Sequence, residues 1–219
     1  MLIVFSITII FILLIIVILI LYKNREYFKN TDFNIYLISL EKDVERREKI
    51  LKYIEPDIIF SVDGSTLDRE LLIKNGKLDT NSKLKLGEIG CYLSHINLID
   101  KSLNSEKYTI IFEDDVKIES DTINKISKII NDAPKDFQIL CLGYNYYEEY
   151  SEFSEIKYLF GSQAYVINPR NINRDDLKKF FPINEPYDIV LPRNLKTYIV
   201  IPKLVELQEN SISNTQGIN

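Results

Sequence analysis

The chain has 219 residues, with 27 Lys+Arg against 32 Asp+Glu, a net charge of −5 and a pI near 5.1. That is material for one domain with a real core, and basic residues scattered among acids exclude a nucleic-acid binder as the expected class. The single histidine, His95, excludes multi-histidine zinc sites, while Cys91 and Cys141 lack CxxC or Cys/His spacing and read as buried thiols, with a disulfide between them as the alternative.

Leu2 to Leu21 carries no charge and is filled by Ile, Leu, Val and Phe. At about 1.5 Å per residue such a helix crosses a ~30 Å hydrocarbon core. The expected organisation is a single-pass transmembrane anchor over residues 1–22, a linker over 23–32 and one domain over 33–219. A cleaved signal peptide competes, but no basic n-region precedes the run and no small-residue cleavage site follows it. Lys23, Arg25 and Lys29 follow the run, which by the positive-inside rule puts the domain on the cytosolic side, and the absence of any Asn-x-Ser/Thr sequon agrees.

Phe33 to Leu40 reads as the first strand, followed by a helix with an apolar stripe of Val44, Ile50, Leu51 and Ile54 and with Asp43 at its start. A strand running into a helix opens a nucleotide-binding α/β sheet, whose ligands sit at the carboxyl ends of the strands. Arg46 and Arg47 are within reach of a diphosphate there, or form a solvated, ion-paired face. Asp57 to Val62 is a second strand closed by the turn Asp63-Gly64-Ser65. A helix and a loop occupy 66–85, and the helix entered through Gly87-Glu88-Ile89-Gly90 keeps Ile89, Leu93, Ile96 and Ile99 at helical spacing. Ser94 and His95 are adjacent on it and diverge, so they are no catalytic pair; a lone helical His is more often a structural donor than a catalyst.

Tyr108 to Phe112 is a short, β-branched and aromatic run that reads as a buried strand, and Glu113, Asp114 and Asp115 follow it at once. Adjacent carboxylates at a buried strand end repel one another, and the relief is protonation, solvation or a cation. Mg²⁺ or Mn²⁺ suits such oxygen ligands, especially with substrate phosphates completing the shell; a solvated acidic turn is the plain alternative. Beyond it the pattern predicts a helix over 120–130, a strand over 137–142, a tyrosine-rich segment over 144–158, a strand over 161–167 and a short helix over 175–181 stopped by Pro182. The tyrosines offer aromatic faces to sugar rings, or pack against the sheet. Pro186-Tyr187-Asp188 places one carboxylate ahead of an apolar run, 197–201 is the last expected strand, and 202–219 is a polar tail.

In order and spacing these segments resemble glycosyltransferase family 25, the lipooligosaccharide and procollagen galactosyltransferase group. The resemblance is carried by Ile38-Ser39-Leu40 with Arg46-Arg47, by Val62-Asp63-Gly64, by Gly87 to His95, by Ile111 to Val116, by Gly161 to Ile167, by Pro186-Tyr187-Asp188 and by 202–211. Ser39 stands where the family usually has Asn, and no histidine follows His95, so a late histidine metal ligand is absent. The resemblance implies an α/β, GT-A-type nucleotide-sugar-binding sandwich behind the single N-terminal transmembrane helix. It implies an inverting transfer of a hexose, galactose above all, from a UDP-sugar to a glycan, lipid-linked or protein acceptor, as in lipopolysaccharide biosynthesis. Mn²⁺ or Mg²⁺ would be held by Glu113 and Asp115, with Asp114 facing the ribose. Ser39, Leu40, Arg46, Arg47, Ser94 and His95 would contact the donor, and Asp188 would take the acceptor proton. A catalytically inactive relative, binding a nucleotide or glycan as an interaction module, is the rival expectation.

Overall fold

The runs read as strands do form a sheet, because their side chains alternate between two apolar layers. The computed structural model of the protein describes residues 33–145 and 153–208. The helix-forming segments are α1 (Val44–Leu51), α2 (Arg69–Lys74), α3 (Leu86–Ser102), α4 (Thr122–Asp132) and α5 (Tyr187–Asn194). The strands are β1 (Phe33–Ile38), β2 (Ile58–Phe60), β3 (Tyr108–Glu113), β4 (Val116–Lys117), β5 (Ile139–Gly143), β6 (Phe153–Ile156), β7 (Ala164–Ile167), β8 (Thr197–Val200) and β9 (Glu206–Leu207). Among the described residues, seven strands build one mixed sheet in the order β2-β1-β3-β7-β5-β8-β6. β2, β1 and β3 run parallel, and β7 turns antiparallel between β3 and β5. The protein is thus a mixed α/β fold.

On one face Tyr36, Ile111, Cys141, Tyr165 and Ile199 pack against Ile89, Tyr92, Ile96 and Ile99 of α3. On the other, Leu37, Ile110, Phe112, Leu140 and Val166 meet Ile50 of α1 and Ile123, Ile126 and Ile130 of α4. Central strands covered on both faces must be apolar at successive positions, which is why β3, β5 and β7 read as unbroken runs. Each side chain so buried contributes about 1.5–3 kcal/mol. α3 lies close on the turn after β2 because glycines face each other there. A Cβ on Gly90 would stand 2.6 Å from the Val62 carbonyl oxygen and 2.8 Å from the Gly64 nitrogen. Alanine raises helix propensity by up to about 1 kcal/mol, but this clash is with backbone that has nowhere to move. Gly90→Ala is therefore expected to destabilise by about 1–3 kcal/mol, roughly 3–10 °C in thermal midpoint, measurable by calorimetric scanning.

Three expectations change. Pro186 begins α5 rather than merely preceding an apolar run. β8 is not the last strand, and the expected polar tail is structured in its first part: β9 pairs antiparallel with β4, setting Val116 opposite Leu207 and Lys117 opposite Glu206. Cys91 is only half-buried and Cys141 fully buried, both as free thiols. The apolar run 1–22, the linker 23–32, Tyr146, Tyr147, Tyr150 and the tail beyond 208 lie outside the described residues. Among the described residues no helix is long and apolar enough to cross a membrane. Tyr144 packs against the sheet, 3% exposed, its hydroxyl donating to the Val200 carbonyl at 2.9 Å.

Candidate functional site

The parallel pairing of β1 with β3 sets Ile38 beside Glu113, so the chain leaves both strands at the same end of the sheet. The Asp114 N–H donates to the Ile38 carbonyl at 3.0 Å and the Glu113 N–H to the Gln163 carbonyl at 2.8 Å, which fixes the acidic turn between the loops after β1 and before β7. Its far side is strapped by the residue after β9: Gln208 donates its backbone N–H to the Asp115 carbonyl at 2.6 Å and its side-chain amide to the carbonyls of Asp114 and Val116 at 3.0 and 3.1 Å. Sequence reasoning missed Gln208, since a two-residue strand carries no periodicity.

Two cavities meet at this turn and share Cys91, Glu113 and Asp115. The smaller, about 80 Å³, is lined by Ser39, Leu40, Arg46, Gly64, Ser94 and Asp114 among others. The larger, about 470 Å³, is walled by Glu88, Asn145, Gln163, Tyr187, Asp188 and Leu207 among others. The expected site residues thus fall into distinct positions. Arg46 pairs with Asp114 and stands 3.5 Å from Asp115 Oδ2. Arg47 instead buckles the β1–α1 loop, donating to Ser39 Oγ at 3.1 Å and to the Leu40 carbonyl at 2.9 Å. Ser94 accepts from the Val62 N–H at 2.8 Å and donates to the Gly90 carbonyl at 2.7 Å, tying α3 to the turn after β2. His95 is fully buried and on neither cavity's wall. Asp188 sits in the first turn of α5 and accepts from the Gly161 N–H at 2.8 Å and from its neighbour Ile189 N–H at 3.0 Å. Gly161 holds a φ of +80°, a conformation glycine adopts without strain.

The electrostatics of the turn are unbalanced. Burial pushes the Asp115 carboxyl from 3.8 up to about 7, Glu113 adds to the rise, and Arg46 opposes it. Asp114 is also raised, chiefly by burial, against the pull of Ser39 and Arg46. Asp114 Oδ2 and Asp115 Oδ1 are buried without a hydrogen-bond partner, each a liability of about 1–3 kcal/mol. Burial first, and then the carboxylates of Glu113, Asp188 and Asp115, likewise hold the Cys91 thiol well above its ordinary value, which disfavours a thiolate nucleophile.

A group whose folded pKa is raised binds its proton more tightly in the native state, so its contribution is present below the unfolded value and lost as pH rises through the folded one. Between pH 4 and 7, roughly, wild-type stability should therefore fall relative to Asp115→Asn, which cannot titrate there. Urea unfolding of both proteins across that range measures the difference.

The same orphaned oxygens test the fit of a cation. Among the described residues no group of three Asp, Glu, His or Cys side chains converges as a cage. Asp115 and Glu113 at the groove mouth fit an ion whose remaining ligands come from substrate oxygens and water, the usual habit of Mg²⁺.

Fold and site together define a mixed α/β protein with two carboxylate-lined cavities at the carboxyl ends of the parallel strands β1 and β3. The family model described as "Glycosyltransferase family 25 (LPS biosynthesis protein)" matches residues 32–162. The chain belongs to glycosyltransferase family 25. It is 31% identical over 126 residues to procollagen galactosyltransferase 2 of Mus musculus, covering 50% of this chain and 20% of that protein. It is 27% identical over 113 residues to the inactive glycosyltransferase 25 family member 3 of Mus musculus, covering 45% and 19%. Against the crystal structure of S. aureus TarS 1-349 in complex with UDP-GlcNAc the TM-score is 0.45 at 12% identity, covering 86% of this chain and 62% of that one. The chain spans between about a fifth and a third of the length of the curated relatives it matches.

Proposed function

We propose that the protein is a GT-A-type, inverting hexosyltransferase that takes galactose from UDP-galactose and places it on a glycan, lipid-linked or protein acceptor, with the apolar segment 1–22 anchoring it to a membrane on the cytosolic side. The observation that carries this reading is the pair of buried, unpartnered carboxylate oxygens on Asp114 and Asp115 at the junction of the two cavities. Such unsatisfied groups persist where a ligand completes them.

In this reading the smaller cavity takes the nucleotide end. Ser39 and the Leu40 backbone edge the base and ribose side, with Asp114 turned toward the ribose. Arg46, beside both aspartates, places positive charge where the diphosphate lies. Glu113 and Asp115 would hold Mn²⁺ or Mg²⁺, which when bound supplies Lewis-acid stabilisation to the departing diphosphate. The larger cavity takes the sugar and the acceptor, and Asp188 on its wall accepts the proton of the attacking hydroxyl on the face opposite the leaving group. The Gly161 N–H held by one Asp188 oxygen fixes the carboxylate's orientation.

A second reading is an inactive family member that binds a nucleotide or glycan. It is favoured by the lack of a three-ligand cage among the described residues and by the inactive relative among the matches. Calorimetry on the full chain with UDP-galactose and UDP-glucose, with and without Mn²⁺, separates the two. Metal-dependent binding of UDP-galactose, followed by turnover, is the expected result; binding without turnover on any acceptor, or no binding of either sugar nucleotide by the folded protein, overturns the transferase and favours the module.

A further inference from the structure

His95 is 0% exposed, yet its ring is surrounded by polar groups aimed at it. It lies flat on Tyr187, with ring centroids 4.2 Å apart and planes 4° from parallel. Its Nδ1 is 2.9 Å from the Tyr165 hydroxyl, which is 3.1 Å from the Tyr187 hydroxyl. Its Nε2 makes no hydrogen bond and faces Glu113 Oε1 at 3.4 Å, close enough for an electrostatic contact only. Each hydroxyl carries one hydrogen, so the direction of this chain can be worked out. If Tyr187 donates to Tyr165, the Tyr165 hydrogen goes to Nδ1, and Nε2 carries the ring proton toward the Glu113 carboxylate. In the reverse order Nδ1–H donates to Tyr165 and Tyr165 to Tyr187. The Tyr187 hydrogen then has no acceptor in the set, and the bare Nε2 lone pair points at a carboxylate oxygen. Only the first order gives both tyrosine hydrogens an acceptor and turns the ring proton, rather than a lone pair, toward the Glu113 carboxylate.

We propose that His95 is a positioning residue: the Tyr187–Tyr165–His95 chain fixes its Nε2–H tautomer and thereby orients Glu113 at the wall shared by the two cavities. This rests on the reading of Glu113 as a group that faces the donor and its cation. The histidine touches neither cavity, so it acts through Glu113, as an imidazole or amide behind a ligating carboxylate does in metal sites. Tyr187 also precedes Asp188, so the same stack holds the start of α5 against α3.

The chain contains one histidine, so a ¹⁵N-histidine-labelled sample of the full protein gives a single imidazole spin system. The expected spectrum has a protonated Nε2 and a bare Nδ1 at neutral pH; a protonated Nδ1, alone or together with Nε2, overturns the chain. Tyr165→Phe keeps the ring and removes the hydroxyl. It should release the tautomer preference and lower transfer kcat about tenfold, with donor KM held within about twofold. An unchanged kcat overturns the positioning role. The tautomer is read without donor or metal, so a protein that transfers no sugar still decides the chain, and an active enzyme with a bare Nε2 refutes it.

Discussion

Asp115→Ala is expected to remove metal-dependent turnover of the sugar nucleotide, by at least about 10²–10³-fold in kcat, while the folded protein becomes no less stable at neutral pH. The two halves of this result have one cause. Burial and the neighbouring Glu113 raise the Asp115 carboxyl to about 7, so near neutrality the native state carries a charge that its surroundings disfavour. Oδ1 has no partner, and Arg46 at 3.5 Å compensates only in part. A core or turn residue of purely structural use lowers the melting temperature when truncated. A group kept for a ligand does the opposite, because the site is frustrated until the ligand arrives. Thermal scanning and donor turnover on the same preparation decide the matter. Loss of activity with a sharp loss of stability would mean that Asp115 serves the fold, and full activity in the variant would remove it from the site altogether. Mn²⁺ should raise the melting point of wild type in the presence of UDP and leave Asp115→Ala unmoved, since a ligand stabilises only the state it binds.

The parts of this arrangement that were legible in the sequence are those built from local pattern. The acidic triplet stood out because three carboxylates directly after the apolar run Thr109 to Phe112 repel one another unless solvation, protonation or a cation relieves them, although a solvated turn would read the same way. Gly87 to Ile99 announced a helix, and the reason for its second glycine appeared only with the 2.6 Å approach to Val62. What could not be read was set by pairings distant in sequence. Gln208 reaches the acidic turn across 94 and 92 positions, through backbone carbonyls that any residue could supply. Arg46 and Arg47 look alike in sequence, yet the roughly 100° of helix phase between neighbours sends Arg46 to the aspartates and Arg47 to its own loop. His95 was weighed as a structural donor or a donor contact by residue type alone; its stacking on Tyr187, 92 positions later, was invisible. Long-range contacts of this kind are fixed by the sheet order, in which β3 and β7 are neighbours although four elements separate them in the chain.

Asp188→Asn is the sharper test of chemistry, because it changes one oxygen for an amide and leaves the volume alone. Expected is a fall of about 10²–10⁴-fold in transfer rate, with donor affinity within about twofold of wild type. The family match ends at residue 162, so this assignment stands on geometry: Asp188 lines the larger cavity together with Glu113 and Asp115. A second role competes for the same carboxylate. Oδ2 accepts from the Gly161 N–H at 2.8 Å and Oδ1 from the Ile189 N–H at 3.0 Å, so the side chain also clamps the loop before β7 to the start of α5. Asparagine keeps one carbonyl oxygen and can hold one of these N–H groups, at a loss of about 1–3 kcal/mol for the other if it stays buried. The two roles therefore separate in measurement. If Asp188 is the base, the variant binds donor normally, melts within a few degrees of wild type and fails to transfer at saturating acceptor. If it is only the clamp, the loop carrying Ser162 and Gln163 loosens, donor affinity and melting point fall together, and the transfer rate of the bound complex is spared. A transfer rate equal to wild type removes Asp188 as the base, and the search for the proton acceptor then moves to Glu88, the remaining carboxylate on that cavity wall whose side chain caps α3 through the Lys85 N–H at 2.7 Å.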